Sequence, residues 1–212
     1  MTDDEREFHR PVRRPAELFD RLFASADPAE VSRVAHSTAQ ALLARVRADP
    51  DGDTVERLIG FTDAYGIDDI AELWSRSPAR SLPGALWRLY LLQLMIHDDA
   101  QTAALLYERG RLSLASVDPV VAGAPVPASP DEIVTLIDTI MRGVFTGDFS
   151  IALERAAAFC RVEASGATWI ADDYDTTEPE RASHLTRRAA RLATYADDLV
   201  ACAALWRRDA LA

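Results

Sequence analysis

Apolar residues recur along this chain at helical spacing. Ile133, Leu136, Ile137, Ile140, Met141 and Val144 stand at i, i+3, i+4, i+7, i+8 and i+11, the core stripe of an amphipathic helix. Leu185, Ala189, Leu192, Ala196, Leu199, Ala203 and Trp206 alternate steps of four and three, a heptad seam in which leucine and alanine take turns. No stretch alternates apolar and polar residues with β-branched side chains. The pattern predicts an all-α fold with no sheet.

Helix starts are marked by short polar side chains followed three residues on by an acid. Asp27-Pro28-Ala29-Glu30, Asp53-Thr54-Val55-Glu56, Ser129-Pro130-Asp131-Glu132 and, more weakly, Thr177-Glu178-Pro179-Glu180 carry this arrangement. The first four N–H groups of a helix lack partners, and such side chains supply them. Helices are expected near 15–25, 28–48, 53–65, 68–77, 82–96, 98–109, 131–145, 148–163 and 179–208. Gly66, Gly110 and Gly166 fall just past expected ends, as C-capping glycines do. Residues 167–178 fit a short helix or a loop equally well.

The expected architecture is a bundle of eight or nine helices around one core, residues 1–212 forming a single helical domain. The Pro/Ala/Val-rich segment 111–129 joins halves 15–110 and 130–208, and residues 1–14 are expected to be flexible. Helix 82–96 should lie at the centre, because its apolar residues go all round. Arg88 in it must then find a carboxylate. The same run is too short to cross a membrane: it has 15 residues, with Arg88 and Gln93 inside it, against about 20 for a span.

Composition narrows the function. Acidic residues exceed basic ones, 34 to 23, for a net charge of −11. All 23 basic residues are Arg. Phosphate binding gains its affinity from cations, so nucleic acid is a poor match for this chain. Cys160 and Cys202 have no metal or redox spacing and read as free thiols of a cytoplasmic protein. The acidic start, Met1 to Arg14, has no apolar core of a secretory signal.

Several groups could carry chemistry. His97-Asp98 at the end of an apolar helix resembles the pair of metal-dependent phosphohydrolases of the His-Asp type, with His36 and Asp197 or Asp198 as further ligands. The competing reading makes Asp98 the N-cap of the next helix and Gln101 its N3 partner. Asp172, Asp173 and Asp175 cluster as Mg²⁺ or Ca²⁺ ligands can, without an EF-hand spacing. Glu180 and His184, with Glu154 and Glu163 elsewhere, give one carboxylate–histidine pair where a di-iron bundle needs two. Residues 68–90 loosely suggest a helix-turn-helix. Its second helix would open Leu82-Pro83-Gly84-Ala85-Leu86, which offers no base-reading side chain, with only Arg76 and Arg80 to meet phosphate. Arg181, His184, Arg187, Arg188 and Arg191 form a basic face for an anion or a partner, and Arg13 and Arg14 a smaller one. The phosphate-binding, nucleophile-elbow and zinc-protease motifs are missing.

At PVRRPAELFDRLF, PAEVSRVAH, SLPGALWRLYLLQ and FTGDFSIALERAAAFCRV the chain resembles a group of short, uncharacterised proteins of high-GC Gram-positive bacteria, over most of residues 11–165. Some members carry an RNA-polymerase-subunit label, but the catalytic aspartate loop of such a subunit is absent here. The resemblance implies a cytoplasmic bacterial protein and brings no cofactor or catalytic residue. The seam Leu185 to Trp206 is expected to meet an antiparallel neighbour in the same bundle or, as the sharper reading, a second copy of the chain. The expected function is a non-catalytic interaction or regulatory protein without a cofactor, forming a homodimer through a helical face. The alternatives are a metal-dependent or small-molecule-binding hydrolase at His97 and Asp98, and a transcription-associated binder of DNA or polymerase.

Overall fold

Residues 27–44, 67–117, 127–143 and 145–212 are described by a computed structural model. The expected helices at 15–25 and 53–65, the cap at Asp53, Gly66, Arg13 and Arg14 lie outside them. The described residues form seven helices and no strand: α1 (Pro28–Ala44), α2 (Ile67–Trp74), α3 (Leu82–Asp98), α4 (Ala100–Val117), α5 (Pro130–Met141), α6 (Phe149–Tyr174) and α7 (Pro179–Trp206). No helix among them is long and apolar enough to cross a membrane.

The capping side chains act where two of the three described start signals put them. Ala29 N–H donates to Asp27 Oδ1 at 3.0 Å. Ser129 and Glu132 form a reciprocal capping box at the start of α5. At α7 the cap position is Glu178, one residue past Thr177, and it makes no side-chain cap bond; Pro179 opens the helix. Asp148, which carries no acid three residues on, caps α6 through the Ser150 N–H at 2.8 Å. Gly143, at φ 64°, follows the C-cap of α5, a left-handed position that glycine adopts without steric cost. That stop ends α5 at Met141, short of the expected 145.

The ambiguous segment 167–178 resolves into the last two turns of α6 and a tight turn. Helices α6 and α7 are each about 40 Å long at 1.5 Å per residue and pair antiparallel as a hairpin. The seam of α7 serves this hairpin. Leu185, Ala189, Leu192, Ala196, Leu199 and Ala203 are buried within the chain, and Trp206 is half-buried. The seam therefore meets an antiparallel neighbour in the same chain, the first of its two readings, and is not free as a homodimer face.

Helix α4 crosses the other side of α6 through two glycines. A Cβ on Gly110 would stand 1.9 Å from the Val162 carbonyl oxygen, and one on Gly166 1.9 Å from that of Leu106. Neither glycine ends a helix. Both lie inside one, where the two backbones touch, and α4 runs on to Val117 through the first residues of the segment expected to be irregular.

Helix α3 is less enclosed than its composition suggests. Leu82 to Leu86, Leu89, Tyr90, Leu92, Gln93 and Ile96 are buried, but Trp87, Leu91 and Met95 are half-buried and Leu94 is 38% exposed. It packs against α1, α2, α4, α5 and α7. The core runs continuously from Ala35, Trp74, Leu86 and Leu89 through Ile133, Ile137 and Ile140 to Phe149, Phe159, Leu192 and Leu199. Its polar members are paired: Gln93 donates to Asp138 of α5, and Trp74 Nε1 donates to Thr38 Oγ1 at 3.1 Å.

Candidate functional site

Charged side chains meet inside the described fold at two places. The first joins α3 to α7. Arg88 donates from Nη2 to Asp198 Oδ2 at 2.8 Å and from Nε at 3.1 Å, and its Nη1 reaches the Gly84 carbonyl at 3.1 Å. Its guanidinium also lies over the Tyr195 ring, 5.7 Å from the centroid. Arg80 Nε donates to the other Asp198 oxygen at 3.2 Å. Asp198 thus has two arginine partners, and Arg88 has the carboxylate its position demands.

The second joins α6 to α7. Glu163 is fully buried and Arg188 is 8% exposed, and Arg188 Nη2 donates to Glu163 Oε2 at 3.2 Å. Glu163 Oε1 and Arg188 Nε have no partner. Burial pushes the Glu163 carboxyl up to about 7, against the pull of Arg188. Arg188 therefore leaves the expected basic face and turns inward. The remaining members, Arg181, His184, Arg187 and Arg191, are exposed. Arg181 stacks over the Tyr174 ring at 4.1 Å and pairs with Glu178. Glu180, His184 and Arg187 border an open, shallow depression with Pro179 and Ser183.

The residues that suggested metal chemistry lie apart. His97 and Asp98 are exposed at the end of α3. His36 Nδ1 stays within hydrogen-bonding distance, 2.8 Å, of its own helix's Ser32 carbonyl, Asp197 is exposed, and Asp198 is bound to arginines. Among the described residues, no three His, Cys, Asp or Glu side chains are gathered as metal ligands would be. The cap at the α3–α4 junction is Asp99, one residue later than expected. Its Oδ1 accepts from the Thr102 N–H at 2.9 Å, and the Thr102 side chain, together with that N–H, holds its carboxyl below the usual range. Asp172, Asp173 and Asp175 are exposed around the end of α6. Glu154 binds Arg207 through both oxygens, at 2.6 Å each, so it does not join Glu180 and His184. Burial pushes the Cys160 thiol up to about 12 and Cys202 up to about 11.

One surface feature lies outside all of these expectations. On the outer side of the α4–α6 crossing, Arg109 lies over the Trp169 ring, 4.8 Å from its centroid. Leu105 and Leu112 flank Arg109 on α4, one turn to either side. Leu105, Leu112 and Trp169 are 45%, 58% and 41% exposed. The sequence spacing of 105, 109 and 112 is itself a helical stripe, which a helix ending at 109 cuts in the middle.

Comparison of the chain with protein-family models, with curated proteins and with solved structures found no match.

Proposed function

We propose that this chain is a non-catalytic helical interaction protein of the bacterial cytoplasm, and that its partner surface is the outer side of α4 and α6. The observation that carries the reading is the exposed Leu105–Arg109–Leu112 stripe with Trp169 held against Arg109. Tryptophan and arginine are enriched at interface centres, and aliphatic neighbours exclude water around them.

The stripe is self-complementary, which favours a second copy of the chain as a partner. Laying two α4 helices antiparallel about the point between Glu108 and Arg109 sets Leu105 against Leu112 of the other copy, and Glu108 against Arg109. A two-fold interface needs this reciprocity. It replaces the α7 seam, which the hairpin consumes, as the dimer face.

Sedimentation of the purified chain at roughly 100 µM, a concentration that reveals even weak dimers, tests this reading. The wild type should sediment as a dimer. Leu105→Asp with Leu112→Asp should sediment as a monomer, and Ile151→Asp, an exposed control on α6, should not change the dimer. A monomeric wild type, or a dimer indifferent to the α4 changes, overturns the proposal.

A further inference from the structure

The ion pair inside the α6–α7 hairpin is under-coordinated. An ionised carboxylate offers about four acceptor positions, and Glu163 uses one oxygen while Oε1 meets nothing. Arg188 leaves Nε unused as well. The layer around them is apolar: Ala167 on α6 and Leu185 and Ala189 on α7 cluster with Leu106 of α4. The charged and titratable neighbours are few. Arg188 faces Glu163 from α7, and Asp99, at the start of α4, acts electrostatically on Arg188. On α6 itself stand Cys160, buried and protonated, and Arg161, exposed. Val162 and Gly166, on either side of Glu163 in sequence, carry the backbone contact with α4. A change at Glu163 is therefore felt by three helices.

We propose that Glu163 and Arg188 form a proton-operated latch: the hairpin is tighter when Glu163 is protonated and looser when the pair is ionised. An ionised buried pair must recover its lost hydration through hydrogen bonds, and this pair makes a single one. A neutral acid loses far less hydration and still offers Arg188 an acceptor oxygen; protonation also costs Arg188 its counter-charge, and the burial of Glu163, with one oxygen unbonded, outweighs that pull. The folded state holds its proton up to about pH 7, whereas an exposed glutamate releases it near 4.5. The stability from proton uptake is thus complete below about pH 4.5 and is lost as the pH rises through 7. The latch is independent of how the α4 face is used.

Amide hydrogen exchange across pH 5–8, corrected for intrinsic rates, reads it out. Residues around 163 and 188 should open about tenfold more at pH 8 than at pH 6, from the linkage of one group with these two values. Glu163→Gln should abolish that dependence. Carboxyl carbon resonances of the wild type provide a readout that needs no variant: Glu163 should titrate near pH 7. Titration below pH 5, or equal pH dependence in wild type and Glu163→Gln, overturns the latch.

Discussion

Arg88 and Asp198 are 110 residues apart in sequence and 2.8 Å apart in space, and their pair ties α3 to the far part of α7. Both side chains are largely enclosed, at 14% and 11% exposure. Removing one partner leaves the other charge buried without compensation, which costs about 3–5 kcal/mol. Asp198→Ala should lose stability in this range by urea denaturation. Arg88→Met combined with Asp198→Leu should lose less than the sum of the single changes, because apolar groups of similar volume replace a buried pair at little cost. Additive losses would show that the pair does not act as a unit.

The glycine crossing makes a sharper demand. Alanine at position 110 or 166 would gain about 1 kcal/mol of helix propensity, yet its Cβ would overlap a backbone carbonyl oxygen that no rotamer change can move. Each of Gly110→Ala and Gly166→Ala should therefore destabilise by about 2 kcal/mol or more, the scale of overpacking in a tight core. Thermal unfolding checks it. A neutral or stabilising result would mean that α4 and α6 are farther apart than described.

These two relationships show what the sequence disclosed and what it hid. The Arg88 pairing was legible, because a cation within an apolar helix has few alternatives. Its partner was not legible, since Asp198 equally suited a metal site. Gly110 and Gly166 were misread because a glycine that ends a helix and one that admits a second backbone look alike in a single chain. Arg188 was hidden by its type. It lies three residues after Leu185 and four before Leu192, on the buried stripe of α7, and periodicity alone would have placed it inside with an acid to meet it. The seam itself was read correctly as a packing face, but a heptad pattern does not say whether its partner lies in the same chain.

Two capping carboxylates and one ion-paired one should add to the acid sensitivity of the fold. Ser129 holds Glu132, Ser150 holds Asp148 and Arg207 holds Glu154, each below its usual range. A depressed folded-state value gives stability that is present above the unfolded value and lost as the pH falls through the folded one. Unfolding should therefore become easier below about pH 4, in the opposite sense to Glu163 and in a separate window. Ser129→Ala should cost about 1 kcal/mol at neutral pH, the usual effect of an N-cap. It should also make the remaining acid dependence slightly shallower, because Glu132 loses the Ser129 hydroxyl and keeps the stronger bond from the backbone N–H of residue 129. Melting curves from pH 3 to pH 7 measure both, and an unchanged acid limb would show that the Ser129 hydroxyl does not contribute to it.

His97 and Asp99 divide the roles that the sequence could not separate. His97 is exposed at the last turn of α3, whereas Asp99 bonds the first turn of α4. His97→Ala should therefore change stability by less than about 0.5 kcal/mol, as surface substitutions do. Asp99→Ala should speed amide exchange at residues 102–104, where the cap bond and the Ala103 N–H to Asp99 carbonyl bond anchor the helix. Equilibrium dialysis against zinc or manganese completes the comparison. Wild type and His97→Ala should bind equally little metal, because His36 and Asp198 are engaged elsewhere. Stoichiometric metal in the wild type that disappears with His97→Ala would instead make the α3–α4 junction a metal centre and displace the interaction reading.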